Sequence, residues 1–401
     1  MSRTALNTIS DIEHLRAAWK DLYSRASSSS RFTTGYDHQS LHSVLPHLDA
    51  ELEKLSTELR REVFAFRPLR AVVVPKGNGK DRVICVPTVR DRIVQRSLLL
   101  YLKQDNRLRI LNTASYGFIP DLPWPVKAAS EHACGLRKSH PWVYKTDISA
   151  FFDNIQRASL ITKINVSVRA ITIRRLLRDA VGCEIAGASG AKQKKIKALG
   201  IIEGQGLRQG MPLSPLLANF VLREFDQAMI RKGLHMVRYA DDLIFMADSE
   251  EDCHAIHSLC KTELAKLELK VPDLGPNSKT KIYPPPEPAE FLGVELAKRG
   301  SDYILQVGKA VFDDIKAEIL SYSDLAKLNR EGIDIRRFGA KLTAIKGGYS
   351  PAYDYCANGD MLMNSIDGWT RQAAQELFRK GFGVDLGKLT TEQAQFLGLH
   401  S

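Results

Sequence analysis

The chain lacks the features that mark membrane proteins, secreted proteins and zinc fingers. The chain contains no uninterrupted run of about 18 apolar residues, the length needed to span a bilayer. The N-terminus MSRTALNTISDIEHLRAAWK has no apolar signal-peptide core. The six cysteines are scattered, without a C-x-x-C pair or a nearby histidine at zinc spacing. These absences predict a cytoplasmic protein whose cysteines are reduced and mostly fill the core.

Acidic residues are outnumbered by basic ones. Lys and Arg total 57 against 46 for Asp and Glu, so the formal net charge is +11 over 401 residues. This excess favours a polyanionic partner, either nucleic acid or an anionic membrane surface, and charge alone does not choose between them. Hydrophobic residues make up 44% of the chain, which is enough for a globular protein with one large core or two to three smaller ones.

Regular alternation of strands and helices is also missing. Residues 1–66 and about 310–401 carry apolar positions at helical spacing. The segment LRAVVVPKGNGKDRVICVPT predicts a β-hairpin with a glycine-bearing turn, and short strands are predicted at 279–283, 289–297 and 303–307. This mixture favours an α+β fold over a doubly wound parallel sheet.

Two apolar runs that are predicted to form strands contain carboxylates. The run VRYADDLIFM contains Asp241 and Asp242, and the run WVYKTDISAFF contains Asp147. An isolated Asp-Asp pair is compatible with an ordinary hairpin turn, because aspartate is a common turn former. Three carboxylates brought together would repel one another unless cations were bound. Two Mg²⁺ ions, with Mn²⁺ as a substitute, would relieve that repulsion and serve in-line nucleotidyl transfer on a nucleic acid.

Blocks of the sequence, in order over about residues 30–296, resemble the reverse transcriptases, beginning with the break near Gly35, Tyr36 and Asp37, which resembles the N-terminal extension motif of the bacterial lineage. RYADD is similar to the signature of their palm domain, KTDISAFFDNI to the strand that bears the first metal ligand, and LRQGMPLSPLLANFVL to the block after it. VVVPKGNGKDRVICVPTVRDRIVQRSLLLYL and ASYGFIP resemble the fingers blocks of group II intron reverse transcriptases. LELKVPDLGPNSKTKI and FLGVEL resemble the last two palm blocks.

The resemblance implies a right-hand polymerase fold with fingers, a palm of antiparallel sheet with helices, and a helical thumb. It implies an N-terminal helical extension over 1–66, fingers and palm over 67–300, and a mostly helical thumb over 301–401. The implied activity is RNA-directed DNA synthesis. The short chain is similar to the stand-alone retron and defence-associated enzymes, which copy a dedicated non-coding RNA, and it shows no endonuclease cluster after the last block.

The family's functional residues transfer by motif. Asp147 and Asp241 would ligate both metals, with Asp242 as a weaker third carboxylate. Phe152 would act as an aromatic gate that collides with a 2′-hydroxyl. Residues expected near the incoming nucleotide and the nascent base pair are Lys76, Arg82, Gln209, Gly210 and Lys279, with Lys281 not distinguished from Lys279. The primer grip would be Phe291, Leu292 and Gly293. Basic residues expected along the nucleic acid are Arg90, Arg92, Arg96, Arg174, Arg175, Arg178, Lys194 and Lys195.

Two other functions use the same residues. One is a maturase-like RNA-binding protein in which polymerisation is secondary, although a pure binder needs no clustered carboxylates facing a polyanion. The other is a template-independent or protein-primed nucleotidyltransferase on the same palm, whose metal chemistry is identical. The sequence leaves the RNA, the priming group and the oligomeric state open.

Overall fold

The computed structural model describes residues 4–75, 81–105, 108, 111–119, 121–187 and 190–396. The chain divides into two compact units. The first unit comprises Met1–Leu122, Lys145–Leu243 and His254–Lys281, and the second unit comprises Pro123–Tyr144, Ile244–Cys253 and Ile282–Ser401. The chain therefore enters each unit more than once.

The described N-terminal residues form four α-helices, which are α1 Ala5–Ile9, α2 Ile12–Arg25, α3 Leu41–Val44 and α4 Leu48–Arg60. The carboxylate of Asp11 caps α2 by accepting hydrogen bonds from the backbone nitrogens of Glu13 and His14. Leu52, Leu55 and Leu59 form the buried stripe of α4, at the spacing expected for an amphipathic helix. The predicted helical character is confirmed for the described residues up to Arg60, where α4 ends six residues before the predicted bound at residue 66.

A β-hairpin follows. Strands β1 Arg70–Pro75 and β2 Asp81–Val86 pair antiparallel, with Arg70 opposite Val86 and Pro75 opposite Asp81. Helix α5 Val89–Leu102 begins at Thr88, whose hydroxyl accepts a hydrogen bond from the Asp91 backbone nitrogen. The predicted strand pairing and the predicted basic helix are confirmed, and the predicted glycine-bearing turn lies outside the described residues.

The middle of the chain supplies one strand and six helices among the described residues. They are α6 Pro125–Ser139, β3 Trp142–Asp147, α7 Phe151–Asn154, α8 Arg157–Ser167, α9 Ile171–Val181, α10 Gly190–Ala198 and α11 Ser214–Arg231. Ile196 of α10 packs in a buried cluster with Leu69, Val83 and Cys85, so α10 packs against the β1–β2 hairpin.

Pro215 lies in the first turn of α11, where its fixed φ suits a helix start and its missing N–H costs nothing, as predicted.

The next elements are β4 His235–Tyr239, β5 Asp242–Ala247, α12 Glu250–Ala265 and β6 Lys281–Tyr283. These strands and β3 form a four-stranded sheet in the order β4-β5-β3-β6. Every residue of β5 after Asp242 is buried, so the apolar run of the sequence is a core strand. Because β3 and β5 are neighbours, Asp147 at the end of β3 comes near the start of β5.

The last part of the chain belongs to the second unit. A three-stranded antiparallel sheet has the order β7-β8-β9, with β7 Ala289–Phe291, β8 Val294–Arg299 and β9 Asp302–Gln306. The prediction of a single strand over residues 289–297 is wrong, because a turn at residues 292–293 divides this segment into β7 and β8. The region from about residue 310 was predicted to be predominantly helical, and its described residues form five α-helices, which are α13 Lys309–Ser321, α14 Leu325–Arg330, α15 Ile335–Tyr353, α16 Gly359–Phe382 and α17 Thr391–Phe396.

All six cysteines are buried and free, which confirms their assignment to the core. Within the described part of the chain, no helix combines the length and the apolar character needed to cross a membrane.

Candidate active site

The predicted carboxylates meet at the ends of β3, β4 and β5. Residues 240–241 connect β4 to β5, with Ala240 in the left-handed region at φ 56°, and Asp242 is the first residue of β5. The backbone nitrogen of Ile148, directly after Asp147, donates to the Asp241 carbonyl at 3.0 Å. The end of β3 is therefore tied to the β4–β5 turn, and residues 94 positions apart in sequence become neighbours.

The electrostatics of the three carboxylates are coupled. Burial, followed by the charge of Asp241, raises the pKa of Asp242 to about 6, and Asp147 contributes in the same direction. The Asp147 side chain is 13% exposed, and its Oδ1 is buried without a hydrogen-bond partner within the described residues. In that part of the chain no three acidic, histidine or cysteine side chains form a ready metal site.

Lys279 lies beside this group. Its ammonium donates a hydrogen bond to Asp147 Oδ2, and this bond, together with the charges of Asp241 and Asp242, raises the Lys279 pKa. Lys281 lies at the start of β6 and is exposed, and of the two lysines it is Lys279 whose pairing with Asp147 the structure shows.

A buried polar network, which was not predicted from the sequence, contacts the turn between β4 and β5. Arg238 on β4 is fully buried and forms a two-pronged ion pair with Asp226 of α11, at 2.7 Å from Nε and 2.5 Å from Nη2. Its Nη1 donates to the Asn219 side chain and to the Ala240 carbonyl, each at 3.0 Å. Asn112 also donates to Asp226, at 2.9 Å. An arginine in an otherwise apolar strand was the signal available in the sequence.

Phe152 lies on α7, directly after the end of β3. Its backbone carbonyl accepts a hydrogen bond from the Leu207 nitrogen at 2.7 Å, and Gly206 adopts φ +76° against the backbone of the same helix. The ring is half-buried, whereas Phe151 beside it is buried in the core, as predicted. The main chain of α7 at Phe152 is thus fixed by Leu207 and Gly206.

Gln209 and Gly210 pack against β2. The Cys85 nitrogen donates to the Gln209 carbonyl at 2.7 Å, and a Cβ on Gly210 would collide with the Cys85 carbonyl oxygen. The close approach at Gly210 is therefore to the hairpin strand, and its position near the nascent base pair stays a prediction.

Of the two cations predicted on the β1–β2 hairpin, only Arg82 can be described. Arg82 is exposed on β2, opposite Val74 of β1. Lys76 lies outside the described residues.

Comparison with known proteins fits this geometry. The family model described as "Reverse transcriptase (RNA-dependent DNA polymerase)" matches residues 74–296, more than half of the chain. The matched range contains the carboxylates, Phe152 and Lys279. The chain belongs to the reverse transcriptase family.

Curated relatives place this reverse transcriptase near the group II intron lineage, as predicted. Protein YkfC of Escherichia coli (strain K12) is 28% identical over 330 residues, covering 69% of this chain and 79% of YkfC. The group II intron-encoded protein LtrA of Lactococcus lactis subsp. cremoris is 24% identical over 336 residues, covering 65% of this chain and 52% of LtrA. The chain thus spans about half the length of LtrA. Telomerase from Candida albicans is a solved structure with 11% identity, a TM-score of 0.43, and coverage of 90% of this chain and 69% of that one.

The reverse transcriptase has the predicted right-hand polymerase fold, with mixed helices and antiparallel sheets. The three residues predicted as primer grip lie in the second unit, at the turn between β7 and β8. Phe291 is buried opposite Val294, and Leu292 and Gly293 both adopt left-handed conformations, at φ 51° and 85°. The Tyr353 hydroxyl of α15 lies against Gly293, within van der Waals contact of an added Cβ.

Arg137, a second buried arginine that was not predicted, contacts the β7–β8–β9 sheet and the segment that precedes it. Its guanidinium donates to the carbonyls of Leu296 at 2.5 Å, Pro284 at 3.0 Å and Glu287 at 2.7 Å, and it stacks over the Tyr303 ring. Burial lowers the Arg137 pKa, while these carbonyls satisfy its donors. The proline-rich segment that precedes β7 is therefore held in one conformation.

Several arginines that were predicted to contact the nucleic acid form ion pairs or hydrogen bonds within the protein. Arg90 pairs with Glu58, Arg96 pairs with Asp21, and Arg92 is 8% exposed and donates to the Thr33 carbonyl. These three hold α5 to the N-terminal region, which gives them a structural role. Arg174 and Arg175 donate to backbone carbonyls and Lys195 pairs with Asp81, whereas Arg178 and Lys194 are exposed.

Proposed function

We propose that this reverse transcriptase synthesises DNA on an RNA template by two-metal nucleotidyl transfer. We further propose that it serves a bacterial retroelement or an anti-phage defence system and copies a dedicated structured RNA. The observation that carries the chemistry is the convergence of Asp147, Asp241, Asp242 and Lys279 at the ends of neighbouring strands. A set of carboxylates at the edge of a basic protein is suited to a polyanionic substrate that arrives with cations.

The donor set fits Mg²⁺. The unpartnered, buried Oδ1 of Asp147 is an oxygen acceptor that a hard cation would satisfy, and Asp241 and Asp242 supply further carboxylates beside it. When bound, two such ions would activate the 3′-hydroxyl and stabilise the charge of the departing pyrophosphate. Asp242, the first residue of β5, would be the third and weaker ligand.

The remaining residues would act on the nucleotide. Lys279, whose ammonium pairs with Asp147, would protonate the pyrophosphate as it leaves. Arg82, together with Lys76, would contact the triphosphate from the hairpin. Phe152 would exclude a 2′-hydroxyl by steric collision. Leu292 and Gly293 would guide the primer strand from their turn.

Primer extension tests the proposal. Purified protein supplied with Mg²⁺, dNTPs and a primed RNA should extend the primer, and Asp241→Ala should lower the rate at least about a hundredfold. The matched control is Asp273→Ala, which removes an exposed carboxylate of the same unit that pairs with Lys261, and it should extend normally. If the wild type incorporates no nucleotide on any primed or self-primed RNA, the polymerase proposal fails and RNA binding alone remains.

The biological role needs a separate measurement. Nucleic acid that co-purifies with the protein from its own host should contain one abundant structured RNA and DNA complementary to it. Recovery of intron RNA alone, without complementary DNA, would favour the maturase-like alternative. Incorporation that does not depend on any template would favour the template-independent nucleotidyltransferase.

A further inference from the structure

Phe118 is a partly exposed aromatic residue on a conformationally unfavourable backbone. Its φ is +60°, a region that non-glycine residues rarely adopt, and its side chain is 39% exposed. Such a conformation persists only where the surroundings fix it. The Phe118 ring meets the Phe152 ring edge to face, with centroids 6.1 Å apart and planes at 90°. This geometry is within the favourable range for aromatic pairs.

The backbone before Phe118 is fixed by the turn that carries the carboxylates. The Tyr116 nitrogen donates to the Arg238 carbonyl at 2.8 Å, and the Asn219 side chain donates to the Gly117 carbonyl at 2.7 Å. A Cβ on Gly117 would collide with the backbone nitrogen of Ala240. The segment that presents Phe118 is therefore locked against the β4–β5 turn.

Phe152 has a fixed backbone, but its ring depends on its neighbours. The Leu207 hydrogen bond and the close approach of Gly206 hold the main chain of α7. Phe151 flanks the ring from the core, with centroids 5.5 Å apart and planes at 73°. Phe118 flanks it from the locked segment. Loss of Phe118 would leave space into which the Phe152 ring could turn.

We propose that Phe118 is a specificity-determining residue that holds the Phe152 ring where it excludes a ribose 2′-hydroxyl. This inference rests on the proposed function, and within it on Phe152 as the gate. Phe118 acts through Phe152 and makes no contact with the nucleotide sugar itself. Arg238 and Asn219 fix both the carboxylate turn and the Phe118 segment, so the network couples catalytic geometry to sugar selection.

The test measures kcat/KM for a dNTP and for the matching rNTP during primer extension on RNA. Phe118→Ala should raise the rNTP-to-dNTP ratio about three- to tenfold, the range expected from loss of one aromatic pair. Phe118→Leu, which keeps most of the apolar volume, should return the ratio toward the wild-type value. Phe382→Ala removes another partly exposed phenylalanine, from α16, and should leave the ratio unchanged.

A double-variant cycle separates this inference from the gate itself. In a Phe152→Ala background, Phe118→Ala should add nothing, because the ring that it positions is gone. If Phe118→Ala leaves the ratio unchanged while Phe152→Ala raises it, the gate stands and the role of Phe118 is refuted. Full additivity of the two changes would also overturn the inference, since Phe118 would then act independently of Phe152. Absence of any extension by the wild type would instead refute the proposed function.

Discussion

At the scale of the residue, Arg238 explains how an apolar strand can end in charge. A buried ion pair such as Arg238–Asp226 contributes little net stability compared with a well-packed apolar pair. Its value here is geometric, since the same guanidinium holds the carbonyl of Ala240, whose φ of 56° is unfavourable for a residue with a side chain. We infer that Arg238 is a positioning residue for the carboxylate turn.

Arg238→Lys should lower kcat by about ten- to a hundredfold, because lysine keeps the charge but cannot contact Asp226, Asn219 and Ala240 together. KM for the dNTP should change much less. The measurement is steady-state extension at saturating template, with the Mg²⁺ concentration for half-maximal rate as a second readout that should rise.

The neutral pair Arg238→Met with Asp226→Leu provides the control. Arg238→Met alone leaves Asp226 buried without its partner and should lower the free energy of unfolding by about 3–5 kcal/mol, whereas the double variant should recover most of that loss. Polymerisation should remain low in the double variant. If activity returns together with stability, the network is only structural and the positioning role is wrong.

At the scale of the element, α5 carries a buried carboxyl near its start. Asp91 is 1% exposed, and burial raises its pKa to about 6, against hydrogen bonds from Thr88 and the Arg67 backbone that lower it. A carboxyl with a raised folded-state pKa contributes most stability below its unfolded pKa. That contribution is lost as the pH rises through the folded value.

Asp91→Asn should therefore stabilise the protein at pH 7.5 by about 1–3 kcal/mol and have little effect below about pH 3, where the wild-type carboxyl is protonated in both states. Urea unfolding at the two pH values measures the difference. Asp273→Asn, at the surface, should show no such gain above pH 6. Destabilisation by Asp91→Asn at both pH values would mean that the charged form is the one the fold accommodates.

Elements of this fold follow from local patterns, whereas the contacts between them do not. The β1–β2 hairpin, the cap at Thr88 and the start of α11 at Ser214 could each be predicted from periodicity, β-branched runs and turn or cap residues. The turn at residues 292–293 was missed because apolar residues on both sides resemble one strand. Partners such as Asp226 for Arg238, or Cys85 for Gly210, were missed because no short-range signal specifies a contact across distant segments.

At the scale of the whole molecule, the charge of +11 acts at long range while individual arginines act locally. The predicted set of nucleic-acid contacts separates by burial. Arg90, Arg92 and Arg96 join α5 to the N-terminal region and are not available to phosphates in this conformation. Arg178 and Lys194 are exposed, so they are the better candidates for phosphate contacts.

The salt dependence of template-primer binding distinguishes these two groups. Each phosphate contact adds about 0.7–0.9 to the slope of log Kd against log salt concentration, because binding releases condensed counterions. Arg178→Gln and Lys194→Gln should each reduce that slope by about this amount, and the free energy of unfolding should change little. Arg96→Gln should leave the slope unchanged and lower the free energy of unfolding, since it breaks the pair with Asp21. A reduced slope in Arg96→Gln, with stability intact, would mean that α5 opens from the N-terminal region to meet the nucleic acid. In that case the net charge of the molecule would guide binding through residues that this conformation buries.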